Sequence, residues 1–183
     1  MKRGQVSLSA SSEGGAVSAP HALAAEAGAA ILRSGGNAIE AGIAVASTLS
    51  VVYPHMNGLG GDGFWLISDG DAHTVRGLAA AGPSGRHYSA ALFHERGLRE
   101  IPFRGGLSAL TVPGAVGGWG AAFGFSKDRW RGCKSWSDLL ESAYCYAATG
   151  FRLSPNQSHT LTRFGNELRQ QPGFAAQYMP GGR

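Results

Sequence analysis

The chain has 183 residues, of which 15% are charged and 43% hydrophobic, and its 29 glycines follow no collagen period. This length and composition predict one globular domain with a core, and they exclude a disordered or fibrous protein. The net charge of +4 comes from scattered lysines and arginines, and no apolar run reaches 18 residues, so we expect no nucleic-acid partner and no membrane span.

The N-terminal segment carries positive charge at Lys2 and Arg3 but no apolar segment follows it. A secretory signal needs such a segment, so we expect a cytoplasmic protein. No proline-rich linker and no internal repeat divides the chain. We interpret residues 1–14 as a flexible lead-in and residues 15–183 as one partial domain.

The first helix is predicted over residues 21–33. Ser18 followed by Pro20 is typical of a helix N-terminus, with serine as the cap and proline in the first turn. The two glycines at 35–36 end this helix. Alanine and glycine dominate its sequence, so we expect it to pack closely on a neighbour.

A second helix is predicted from Asn37 to the residues before Pro54. Asparagine is a favoured N-cap residue, and Glu40 stands three positions further on. From there its carboxylate can accept a hydrogen bond from the backbone amide of the cap residue.

A glycine-rich segment at 57–63 leads into a predicted hairpin with strands at 64–68 and 72–78, joined by a turn at 69–71. The spacing of three of these glycines matches a dinucleotide fingerprint, which requires a strand before it and a helix after it. Here the predicted order is reversed, so we reject nucleotide binding.

The rest of the chain predicts four more helices and one strand. The expected elements are a short helix at 87–93, a strand at 107–113, a helix at 115–125, a helix that begins at Ser135 and ends at Gly150, and a helix that opens at Ser154 and Pro155. For the tail, residues 172–183, we predict no further element.

The residues themselves predict no cofactor, no metal site and no catalytic residue. The six histidines lack the spacing of a zinc site, and they are His21, His55, His73, His87, His94 and His159. Cys133 and Cys145 form neither a metal-binding nor a redox motif, so we expect free thiols that are buried or partly buried.

Several segments resemble the large subunit of the γ-glutamyltranspeptidases, in the same order. The most specific are Gly-Gly-Asn at 35–37 and Gly-Leu-Gly-Gly-Asp-Gly-Phe at 58–64, and the others are 20–28, 31–34, 38–41, 51–55, 112–118 and 136–151. The resemblance implies an α+β fold, the αββα sandwich of the N-terminal-nucleophile hydrolases. This chain would be an incomplete sandwich, the N-terminal half of the large subunit.

The resemblance also implies an enzyme that takes part in glutathione metabolism and cleaves its own precursor. In the family, a small subunit begins with a threonine whose free α-amine activates its hydroxyl, and γ-glutamyl groups pass to water or to an amine. The expected partners are therefore the downstream large-subunit segment, the small subunit with its threonine, and a small-molecule amide. We expect this chain alone to be inactive.

One position departs from the family. An arginine that grips the substrate α-carboxylate precedes an Ala-Pro pair in the family, and aligning that proline with Pro83 places Ala79 at the arginine position. Arg76 or Arg86 could replace it only in a rearranged loop. Three functions stay open: a γ-glutamyltransferase or γ-glutamyl hydrolase, an amidohydrolase of other acyl amides, and an inert scaffold or interaction domain.

Overall fold

The computed structural model describes residues 12, 14–70 and 73–179. The residues outside this description are most of the predicted lead-in, Asp71 and Ala72 at the hairpin turn, and residues 180–183 of the tail. The described elements are α1 (Ala22–Arg33), α2 (Ala38–Val52), β1 (Gly63–Asp69), β2 (Thr74–Ala80), α3 (Ala90–Glu95), a 3-10 turn (Gly106–Ser108), α4 (Ala115–Trp130), α5 (Trp136–Thr149), α6 (Pro155–Leu168) and α7 (Phe174–Tyr178).

The described residues form two compact units. The first contains the described residues up to Val52 together with Ala122–Gly150, and the second contains Tyr53–Ala121 and the described residues from Phe151 onward. Within residues 14–70 and 73–179, none of the helices combines the length and the apolar character that crossing a bilayer requires.

In the first unit, α2 packs against both α1 and α5. A Cβ atom added at Gly28 of α1 would lie 2.6 Å from Val45 Cγ2, so the two helices approach each other as closely as the small residues predict. Ile43 and Leu139 are completely buried, and Ser47 Oγ donates a hydrogen bond to the carbonyl of Leu139 (3.1 Å).

Asn37 caps α2 as predicted. Its Oδ1 accepts hydrogen bonds from the amides of Ile39 and Glu40, each at 3.1 Å, and its own amide donates to Glu40 Oε2 (3.0 Å). The other carboxylate oxygen, Oε1, accepts from the amide of Lys134 (2.9 Å), which is 94 residues away in the chain. The cap residue therefore belongs to a buried junction that local spacing alone did not predict.

The helix starts at Ser135 and Ser154 are confirmed. Ser135 and Asp138 form a complete capping box at α5, and Ser154 Oγ accepts from the amide of Gln157 (3.1 Å) at α6. The Ser18 cap is wrong, because α1 is capped by His21, whose Nδ1 accepts from the amide of Leu23 (3.2 Å). The side-chain oxygen of an N-cap residue accepts from the backbone amide two or three residues later. The residue two positions after Ser18 is Pro20, which has no N–H.

Four predictions for the chain after the hairpin are wrong in detail. The short helix begins later, at Ala90, because Ser89 caps it, and α4 continues to Trp130. The strand at 107–113 is a 3-10 turn followed by a single bridge between Thr111 and Ser84. The tail contains α7, which follows Gly173 in a left-handed conformation (φ 78°).

The predicted hairpin is confirmed in the second unit, where β1 and β2 form an antiparallel two-stranded sheet. Residues directly opposite each other share a face, and successive residues alternate between faces. One face carries Trp65 and the buried Ile67, while the other leaves Phe64 and Leu66 exposed. The described chain is thus a mixed α/β fragment, with a two-stranded sheet as the described part of the expected sandwich.

Candidate functional site

Within the second unit, the glycine-rich segment binds the N-terminus of α4 through backbone hydrogen bonds. The carbonyl of Gly61 accepts hydrogen bonds from the amides of Gly114 (3.1 Å) and Ala115 (3.0 Å), two of the donors that a helix leaves free at its start. Thr111 Oγ1 donates to Asp62 Oδ1 (3.0 Å) beside this contact. The segment that contains the fingerprint spacing therefore follows a helix and precedes a strand, and its Gly61 binds protein backbone.

The segment that follows β2 is hydrogen-bonded to the segment that precedes α4. The amide of Val112 donates to the carbonyl of Pro83 (2.9 Å), and the amide of Gly85 donates to the carbonyl of Leu110 (2.9 Å). A Cβ atom on Gly82 would lie 2.0 Å from the carbonyl oxygen of Val112, and one on Gly114 would lie 2.1 Å from that of Ala80. Only glycine permits these two backbone approaches, which hold the end of β2 in place.

Ala79, at the position that the resemblance assigns to the substrate arginine, is exposed near the end of β2. Its partner across the hairpin is Phe64, and the same face carries Leu66 and Val75. The exposed fractions of these three apolar side chains are 73%, 85% and 68%. This face therefore presents apolar side chains around the position that the resemblance assigns to the arginine.

Arg76 pairs with Ile67 in the hairpin, so it belongs to the opposite face from Ala79. The two positions are an odd number of residues apart on the strand, and a strand cannot bring both side chains to one face. Arg86 is exposed and lies two residues beyond the bridge at Ser84. Contact of either arginine with a substrate stays a prediction.

Within the described parts of the chain, no three histidine, cysteine, aspartate or glutamate side chains are grouped closely enough to hold a metal ion. Cys133 and Cys145 are free thiols as predicted, but both are exposed instead of buried. Cys133 lies in the connection between α4 and α5, where its Sγ donates to the carbonyl of Gly35 (3.2 Å). The sequence could not predict this exposure, because it depends on which surfaces the folded chain covers.

The second unit also contains a cavity of about 640 Å³ along α6, which the sequence analysis did not predict. Its helical lining includes Gln157, Leu161, Phe164 and Leu168. The spacing of these residues was visible in the sequence as one face of a helix, but an apolar helix face more often indicates a core than a cavity.

Comparison with known proteins gives concordant matches. The family model described as "Gamma-glutamyltranspeptidase" matches residues 24–183. The chain is 45% identical over 166 residues to the oxamate amidohydrolase proenzyme of Klebsiella pneumoniae, covering 90% of this chain and 30% of that protein. It is 43% identical over 141 residues to the glutathione hydrolase-like YwrD proenzyme of Bacillus subtilis, covering 77% and 26%.

The comparison with solved structures also matches a γ-glutamyltranspeptidase. The γ-glutamyltranspeptidase of Helicobacter pylori superimposes with a TM-score of 0.82 at 27% identity, over 94% of this chain and 48% of that chain. The chain spans about a third or less of the length of the two curated relatives. Its similarity lies in the N-terminal, large-subunit part of the family's proenzymes.

Proposed function

Because this chain belongs to the gamma-glutamyltranspeptidase family, we propose that it is part of an autoprocessing amidase proenzyme whose whole protein hydrolyses acyl amides other than γ-glutamyl amides. The described residues would supply the scaffold and one wall of the acyl-binding region. The threonine nucleophile would come from a separate, downstream stretch of the proenzyme.

The observation that carries this proposal is the side chain at position 79. A guanidinium binds a carboxylate through two parallel, charge-assisted hydrogen bonds, and a methyl group can make neither. Arg76 projects from the opposite face of β2, so the hairpin as folded offers no arginine beside Ala79. A substrate whose binding depends on its α-carboxylate would lack its main hydrogen-bonding partner on this wall of the acyl-binding region.

The relatives support an amidase of this kind. The relative at 45% identity is named for oxamate, an amide that has no γ-glutamyl group. In the proposed reaction the threonine hydroxyl attacks the amide carbonyl, the C–N bond breaks, and ammonia or an amine leaves with a proton. Water then attacks the resulting ester, which releases the carboxylic acid and restores the hydroxyl.

A γ-glutamyl hydrolase is the second candidate, and one observation favours it. The relative at 43% identity is described as glutathione hydrolase-like, so a chain this similar is compatible with γ-glutamyl substrates. In that case the α-carboxylate would be bound by Arg76 or Arg86 in a rearranged loop, or by groups that lie outside the described residues.

A matched pair of chromogenic amides tests the proposal in a proenzyme that contains these residues and the polypeptide that follows them. Butyryl-p-nitroanilide keeps the acyl carbonyl of γ-glutamyl-p-nitroanilide and the three carbons that follow it, but lacks the α-amino and α-carboxyl groups. We expect kcat/KM for the butyryl compound to equal or exceed that for the γ-glutamyl compound, and we expect ammonia release from at least one simple amide such as oxamate. A preference of about tenfold or more for the γ-glutamyl compound would refute the proposal, and the 183-residue chain alone is the negative control.

A further inference from the structure

The cavity along α6 is bordered by large apolar side chains that the fold leaves exposed. They are Met56, Phe103, Leu153 and Tyr178, and we call these four residues the rim. The exposed fraction is 88% for Phe103, 72% for Met56 and 47% for each of the other two. A single exposed apolar residue is common on protein surfaces, but a cluster of them around a cavity is typical of a contact surface.

The inner wall of the cavity has the same apolar character. Leu161, Phe164 and Leu168 line it from one face of α6, at the spacing that places residues one above another on a helix. Phe174 of α7 lines it as well, and its ring centroid lies 5.1 Å from that of Tyr178 in the rim. Aromatic residues and methionine are enriched at the buried centres of protein interfaces, so the wall and the rim together suit a polypeptide.

The charge in the lining is already neutralised. Arg104 Nη1 lies 3.0 and 3.1 Å from the two carboxylate oxygens of Glu167, and its guanidinium carbon lies 4.1 Å from the centroid of the Phe164 ring. A charged occupant would have to compete with one member of this pair. The lining therefore favours an occupant that presents apolar side chains.

The last described residue lies next to the rim. Met179 follows Tyr178, and its Sδ accepts a hydrogen bond from Arg169 Nε (3.4 Å), one residue past the end of α6. A polypeptide that continues from Met179 therefore starts at the edge of the cavity. Residues 180–183 are Pro-Gly-Gly-Arg, which offer no large apolar side chain to fill it.

The curated relatives contain much more polypeptide than this chain. The chain covers 30% of the Klebsiella pneumoniae relative and 26% of the Bacillus subtilis relative, so most of each protein lies outside the matched part. A segment tethered to Met179 would meet the cavity at an effective concentration of about the millimolar range, which a separate second copy seldom reaches. A tethered segment is therefore favoured over a second copy.

From these contacts we propose that an apolar segment of the same proenzyme, from the polypeptide that follows residue 183, fills the cavity along α6 and covers its rim. The apolar side chains of this segment lie against Leu161, Phe164 and Phe174. The inference rests on the proposed function only in taking this chain as part of a longer proenzyme. The wall of the acyl-binding region proposed above shares no residue with the cavity or its rim.

Photo-cross-linking in the proenzyme tests the occupant. The photoreactive residue p-benzoylphenylalanine replaces Phe103, which is exposed enough to accept the larger ring without repacking. We expect illumination to join position 103, within one molecule, to a peptide beyond residue 183, identified by mass spectrometry after digestion. The same replacement at Tyr144, an exposed aromatic residue of α5 outside the cavity, is the control and should not join that peptide.

Four outcomes would each overturn the proposal. A cross-link between two proenzyme molecules would assign the cavity to a second copy, and no cross-link to protein would leave the rim in solvent. Cross-links confined to residues 1–183, or the same downstream peptide from both labelled positions, would contradict a specific contact.

Oxidation of Met56 by hydrogen peroxide is a second measurement that needs no variant. If the rim is covered, this methionine should react about tenfold or more slowly in the native proenzyme than in the proenzyme unfolded in urea. Rates within about twofold of each other would overturn the proposal. Neither experiment involves an amide substrate, so a proenzyme that forms the predicted cross-link but cleaves no amide would refute the proposed function alone.

Discussion

Ala79 lies directly opposite Phe64 in the hairpin, and both side chains belong to its exposed face. Directly opposite residues in an antiparallel pair have Cβ atoms about 5 Å apart, so a longer side chain at position 79 would extend across the aromatic ring. The pair therefore lies on the surface that carries the proposed substrate clamp position.

Ala79→Arg in the proenzyme is expected to restore recognition of γ-glutamyl amides. A guanidinium at this position can bind the α-carboxylate, so kcat/KM for γ-glutamyl-p-nitroanilide relative to the butyryl compound should rise by about tenfold or more. Val75→Arg introduces the same charge on the same face, closer to the turn. Equal increases in the two variants would show a general charge effect and contradict the prediction.

Gly114→Ala is expected to destabilise the second unit, because the added Cβ atom would lie 2.1 Å from the carbonyl oxygen of Ala80. Relief of such a clash requires a backbone shift, and we expect the free energy of unfolding to fall by about 1–3 kcal/mol. Gly117→Ala is the matched control, since a Cβ atom there meets nothing within 4 Å and alanine favours a helix by up to about 1 kcal/mol. Urea unfolding of both variants distinguishes these outcomes, and equal losses would contradict the clash.

Glu40→Gln is expected to weaken the buried junction of the first unit. The carboxylate is completely buried and accepts from two backbone amides, whereas a glutamine amide group would turn a donor toward one of them. We expect a loss of about 1–3 kcal/mol in the free energy of unfolding.

Glu26→Gln is the control for that experiment, because Glu26 is exposed and pairs with Arg33 at the surface of α1. Surface pairs contribute about 1 kcal/mol or less. Similar losses in both variants, measured by denaturant unfolding of the same chain, would argue against a special role for the buried carboxylate.

The capping box of α5 makes stability depend on pH. Hydrogen bonds from the side chain and the backbone of Ser135 lower the pKa of Asp138 below its ordinary value of 3.8. A folded pKa below the unfolded one means that the carboxylate stabilises the fold above about pH 3.8, and that this contribution is lost as pH falls through the lower folded pKa. In Ser135→Ala the Asp138 pKa should rise toward 3.8, as followed by NMR titration, and an unchanged pKa would contradict the assignment.

Local signals in the sequence were reliable where a side chain binds its own neighbours in the chain. Asn37 with Glu40, Ser135, and Ser154 before Pro155 all predicted helix starts that the structure contains. These contacts span two or three residues, so spacing alone specifies them.

Predictions failed where the local signal was ambiguous or the partner was distant. Ser18 satisfies the residue preference for a cap, but the proline two positions later has no amide to offer it. Residues 107–113 are apolar enough for a strand, yet only Thr111 meets a bridging residue, Ser84. A strand exists only if another segment supplies its hydrogen bonds, and the sequence of one segment does not reveal that.

The sequence by itself determined the family, most of the helices and the hairpin, and it supplied the resemblance that assigns Ala79 to the arginine position. Only the tertiary structure decided that Glu40 also binds Lys134, that Phe64 lies opposite Ala79, and that Gln157 lines a cavity. The physical reason is the range of the interactions. Caps and turns are settled between neighbours in the chain, whereas burial, register and cavities depend on which distant segments the folded chain brings together.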